Sequence, residues 1–126
     1  MNKRILVVED QEDNRQILRD LLTSADLEVI GAADGEAGLA AAAAHRPDLI
    51  LMDIQLPGLD GYEATRRIKA DAVLHTIPVI VVTSYALAGD DGKARAAGCD
   101  AFVSKPFSPR QLLAKVREYL PPAALE

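Results

Sequence analysis

The chain of 126 residues has one cysteine, Cys99. A lone thiol provides neither a disulfide framework nor a cysteine metal site. The only histidines, His45 and His75, are far apart and lack the spacing of metal ligands. Positive charge is scarce: 14 Lys and Arg against 19 Asp and Glu leave a net charge of -5. That balance disfavours direct nucleic-acid binding, which wants a basic face. No apolar run is long enough to span a membrane. The opening "MNKRILVVED" passes from a short basic start through a brief apolar run to acids, which is not a signal peptide. The expected location is therefore cytoplasmic. No GxxxxGKS/T stretch is present, which excludes a nucleotide-binding P-loop.

What is present suits one soluble domain. Hydrophobic residues make up 49% and charged residues 26%, outside the disordered range. A chain of this size buries roughly two-thirds of its unfolded surface. Short apolar runs alternate with helical patterns. "RILVVE" (4–9), "EVIGA" (28–32), "LILMD" (49–53), "PVIVVT" (78–83) and "AFVSK" (101–105) read as five strands. Between them, Ile17, Leu18, Leu21, Leu22 and Ala25 follow helical spacing. "EAGLAAAAAH" is an alanine-rich helix, "YEATRRIKA" a third and "DDGKARAA" a glycine-weakened fourth. The fifth and last helix has a clear start, with Ser108 as N-cap, Pro109 at the first helical position and Gln111 completing a capping box. Continuous apolar strands separated by helices imply parallel pairing buried on both faces. The expected fold is α/β: a doubly wound, five-stranded parallel sheet with helices on both faces and the flavodoxin-like strand order 2-1-3-4-5. Residues 1–120 form the domain, and "PPAALE" (121–126) is a C-terminal tail or linker stub.

In open parallel sheets, ligands bind outside the carboxyl ends of the strands. The first strand delivers Glu9 and Asp10 there, the third Asp53, the fourth Thr83 and the fifth Lys105. Each has an ordinary structural use. Asp10 or Asp13 could cap the first helix, and Asp53 could form the turn before "LPG". Such uses do not explain why the central strands all end in groups of complementary chemistry. Two carboxylates about 4 Å apart repel by about 4 kcal/mol at an effective dielectric near 20. One lysine does not balance three of them, whereas a hard divalent cation does. Mg2+ prefers oxygen ligands and works beside phosphates. The cluster reads as a Mg2+ site next to a carboxylate nucleophile of the aspartyl-phosphate type.

The motifs "LVVED", "LILMDIQLPGLDG", "VVTS" and "VSKPF", in this order and spacing, resemble those of response-regulator receiver domains of two-component signalling. The resemblance runs from Lys3 to Leu120. It implies that Asp53 accepts a phosphoryl group from a phosphohistidine on a histidine kinase or phosphotransfer protein. It implies Mg2+ held by Asp10, Asp53 and the carbonyl of Gln55, with Glu9 helping through water. Lys105, before a cis peptide to Pro106, would pair with the phosphoryl oxygens, and Thr83 would hydrogen-bond them. Thr83 and Phe102 would form the switch, and Gln55 and Tyr85 would border the path of the hydrolytic water, where Tyr85 is expected to act as a shield. A downstream protein would read the face of the fourth helix, fifth strand and fifth helix. Ser84 and Phe102 depart from the family's usual alanine and tyrosine. With phenylalanine, the switch rests on packing alone. Such a protein is no enzyme beyond assisting its own phosphorylation and dephosphorylation.

Three rival readings fit less well. A haloacid-dehalogenase-type phosphatase also uses an aspartate nucleophile and Mg2+. It needs a second aspartate where this chain has Gln55, and the sequence has no cap domain. A flavodoxin-like electron carrier wants a phosphate-holding loop after the first strand, where "EDQEDN" would repel phosphate. A receiver-like binding module that is never phosphorylated is at odds with the intact acidic cluster.

Overall fold

The computed structural model describes residues 3–83, 96–104 and 107–120. Five strands form one parallel sheet: β1 (Arg4–Val8), β2 (Glu28–Ala32), β3 (Leu49–Asp53), β4 (Val79–Thr83) and β5 (Ala101–Ser104). Their order is β2-β1-β3-β4-β5, as expected. Among the described residues, the complete helices are α1 (Glu12–Ser24), α2 (Gly35–His45), α3 (Gly61–Ala70) and α4 (Pro109–Tyr119). Of the fourth helix predicted from sequence, only Ala96 and Ala97 are among the described residues, and both are helical. The helix α4 is thus the fifth of the predicted series.

The apolar runs are continuous because both sheet faces are covered. Leu6, Val8, Ile50, Met52, Val79 and Val81 point to one side and pack with Ala42 of α2 and with Ala64 and Ile68 of α3. Ile5, Val7, Leu49, Leu51, Ile80 and Val82 point to the other and meet Leu18 and Leu22 of α1 and Leu112 and Val116 of α4. Burying each such side chain stabilises the fold by about 1.5–3 kcal/mol before entropy is counted. The alanine-rich α2 has few large side chains to bury. It compensates by lying close to the sheet: a Cβ at Gly38 would sit 2.8 Å from Val8 Cγ2.

Helix ends follow local chemistry. Ser108 Oγ accepts from Gln111 N at 3.0 Å, and Gln111 Oε1 accepts from Ser108 N at 2.9 Å, which is the predicted capping box. Asp34 and Asp60 cap α2 and α3, accepting from Ala37 N at 2.7 Å and from Glu63 N at 2.8 Å. The start of α1 is different. Its N-cap is Gln11, with no side-chain capping bond. The capping role open to Asp10 or Asp13 is therefore not used.

Among the described residues, one buried polar atom works against the fold. Thr65 of α3 is fully buried and its Oγ1 has no hydrogen-bond partner. Valine has nearly the same shape and no hydroxyl to desolvate. Thr65→Val is expected to raise stability by about 1 kcal/mol. Urea unfolding would show a higher midpoint at unchanged slope.

Candidate metal centre at the strand ends

The topology brings the ends of β1 and β3 side by side. Val8 pairs with Met52, so Glu9 and Asp10 leave β1 next to Asp53. One carboxylate oxygen from each of Glu9, Asp10 and Asp53 lies within 4.8 Å of the other two. Glu9 is 2% exposed and Asp53 7%, while Asp10 is the more open of the three. Holding three like charges this close, two of them buried, is unfavourable without a cation. The donor set is oxygen alone, which suits a hard divalent ion such as Mg2+ better than a softer metal.

The backbone around the cluster is tied down. Glu9 N donates to Ala32 O at 3.0 Å, and Glu9 Oε2 accepts from Gln11 N at 3.0 Å. Arg15, one turn into α1, donates from Nη1 to the Glu9 carbonyl at 2.8 Å. Asp53 Oδ1 faces Gln55 N at 3.4 Å, a long contact that turns the chain out of β3. Gln55 itself is exposed, between buried Ile54 and Leu56.

Asp53 pairs with Val82, so Thr83 is the next residue along β4 at the same edge. Thr83 in turn pairs with Ser104. Phe102 is half-buried on β5 opposite Val81. It packs against the α2–α3 side of the core and borders a groove of about 500 Å3 between β5 and α4. Ser84, Tyr85, Lys105 and Pro106 lie outside the described residues, and with them the roles expected of Tyr85, Lys105 and the peptide to Pro106. Sequence reading also missed three residues that shape the site: Arg15 on the Glu9 carbonyl, and Gly35 and Gly61 on the loop after β3. No local pattern marks them, because their contacts are made across the fold.

The family model for the response regulator receiver domain matches residues 5–117. The chain belongs to this family. It is 44% identical over 120 residues to the polar-differentiation response regulator DivK of Brucella anthropi, covering 95% of this chain and 98% of that protein. DivK of Brucella ovis is 43% identical over the same span. Among solved structures, the Vibrio cholerae chemotaxis protein CheY4 superposes with a TM-score of 0.90 at 28% identity, over 95% of this chain and 100% of the other. The receiver domain of the sensor histidine kinase PA1611 from Pseudomonas aeruginosa has a TM-score of 0.88 at 36% identity, over 94% and 98% of the two chains. That structure holds a magnesium ion in its active-site cleft. The receiver domain is a signalling module of two-component systems, and nothing found supports the phosphatase alternative. Among the described residues, no helix is long and apolar enough to cross a membrane.

Proposed function

We propose that this receiver domain is switched by phosphorylation of Asp53 in a Mg2+-dependent reaction. The observation that carries this is the convergence of Glu9, Asp10 and Asp53 at the carboxyl edge of the sheet, with their oxygens within 4.8 Å. The magnesium coordinated by the related PA1611 receiver supports the choice of ion. Asp10, Asp53 and the Gln55 carbonyl would hold it, with Glu9 acting through water. When bound, it offsets charge on the phosphoryl oxygens.

Asp53 is the nucleophile. Its carboxylate oxygen forms the new bond to phosphorus as the P–N bond to the donor imidazole breaks, and the imidazole leaves with that electron pair. Burial holds the carboxylate in one place, which favours in-line attack. Thr83 and Lys105 supply a hydroxyl and a positive charge to the phosphoryl oxygens. Drawing Thr83 toward the phosphoryl group lets Phe102 turn inward, and this remodels the face of the fourth predicted helix, β5 and α4. The donor is a histidine kinase or phosphotransfer protein, and the reader is a downstream protein on that face. Residues 1–120 form the switch, in the cytoplasm, with 121–126 as a tail or linker.

The test is direct. Incubation with a small phosphodonor and Mg2+ should add one phosphoryl group per chain, read by intact mass. Omitting Mg2+, or adding a chelator, should prevent it. A chain labelled equally well without Mg2+ would defeat this reading.

A further inference from the structure

The loop from β3 to α3, residues 54–60, carries Gln55 and is gripped by backbone at both ends. At its C-terminal end, a Cβ on Gly61 would lie 2.0 Å from the carbonyl oxygen of Asp53 and 2.8 Å from Ile54 Cα. Gly61 N donates to Ile54 O at 3.0 Å. At its flank, a Cβ on Gly35 would lie 2.4 Å from the carbonyl oxygen of Leu59 and 3.1 Å from Leu59 Cβ. Both glycines are buried at the first position of a helix, α3 and α2 respectively. Neither has a positive φ, so space rather than backbone conformation demands glycine. Gly58, in the same loop, is the reverse case: φ is +72° and nothing lies within 4 Å of its missing Cβ.

These contacts do more than fill space. The atoms that Gly61 presses on are the backbone of Asp53 and Ile54, the residues between the nucleophile's side chain and the Gln55 carbonyl. Asp60 and Asp34 cap the two helices, fixing where each first turn begins. Ile54 and Leu56 are buried below, and Leu59 packs on the same core. The loop is therefore held from beneath by side chains and from two sides by helix starts, while Gln55, whose N lies 3.4 Å from Asp53 Oδ1, is exposed.

We propose that Gly35 and Gly61 are positioning residues for the metal site. They form a two-sided backbone clamp that sets the Gln55 carbonyl against Asp10 and Asp53, so that a methyl group at either position weakens Mg2+ binding in addition to its cost in stability. This rests on the metal reading above and goes beyond it, because it assigns affinity to residues that touch no metal. A methyl at Gly35 has backbone on its far side, so the loop must shift. Misplacing an outer support of a metal ligand typically lowers affinity by about tenfold or more.

The experiment separates affinity from stability. Mg2+ alone, as chloride, is titrated calorimetrically into the full chain carrying Gly35→Ala, and into Ala42→Gly as a control. Ala42 lies later on α2, fully buried and away from the loop, so its loss destabilises the same helix. The expected result is affinity about tenfold weaker for Gly35→Ala and within twofold of the parent for Ala42→Gly. Leu59→Ala loosens the clamp without a clash and should also weaken binding, which covers the case in which Gly35→Ala does not fold. Parent affinity in both Gly35→Ala and Leu59→Ala overturns the clamp. So does an equal loss in Ala42→Gly, since the effect would then be general stability. Failure of the metal reading looks different: the parent itself would take up no Mg2+.

Discussion

Asp53→Asn is expected to carry no phosphoryl group under conditions that label the parent to one per chain. The amide has the same shape and the same place at the end of β3, but its oxygen is a poor nucleophile and it carries no charge for the metal. The fold should survive, because Leu49, Ile50, Leu51 and Met52 anchor the strand on both faces. Its metal-free stability should rise. Two unit charges at 4.8 Å repel by about 3.5 kcal/mol at an effective dielectric near 20. Water at the more open Asp10 reduces this, so a gain on the order of 1 kcal/mol is expected. Lost labelling with a higher urea midpoint is the signature of a nucleophile inside a repulsive cluster. Lost labelling with a collapsed fold would show only that β3 was damaged. An Asn variant labelled as well as the parent would place the acceptor elsewhere and end the assignment.

Much of this architecture is legible in the sequence because it rests on local rules. Buried parallel strands need apolar residues on both faces, so "LILMD" reads as a strand and its terminal aspartate stands out. The capping box of Ser108 and Gln111 is short-range chemistry, and the structure has it as read. The first helix shows the limit of such rules. Asp10 and Asp13 both look like caps, yet Gln11 holds the position without a side-chain bond, which leaves Asp10 with the carboxylate cluster. Tertiary geometry outweighs capping preference there. Nothing local in "ADGEAG" and "LDGY" marks Gly35 and Gly61. Their reason is a close approach to Leu59 and Asp53 that only the packed fold creates. Nothing local marks Arg15 either, because its bond to the Glu9 carbonyl depends on how the helix leaves β1.

Asp10→Asn is expected to change stability in opposite directions with and without Mg2+. Asp10 is the most accessible carboxylate of the cluster, so it is well placed to meet an entering ion while contributing little to the core. Without metal, removing its charge relieves Glu9 and Asp53 and stabilises the chain. With metal, the variant has lost a charged ligand. At ten times the parent's dissociation constant, Mg2+ stabilises the parent by about 1.4 kcal/mol. If the substitution weakens binding about tenfold, the same concentration stabilises the variant by only about 0.4 kcal/mol. That difference of about 1 kcal/mol is the size of the metal-free gain, so the melting curves should draw together, and the order should reverse at higher Mg2+. For a domain of this size, 1 kcal/mol corresponds to a few degrees in Tm, well within reach of a thermal scan. Two scans per protein, in chelator and in excess Mg2+, decide the matter. A variant that stays above the parent at all Mg2+ concentrations would show that Asp10 is not a ligand. One that falls below the parent in chelator would show that the carboxylate supports the fold.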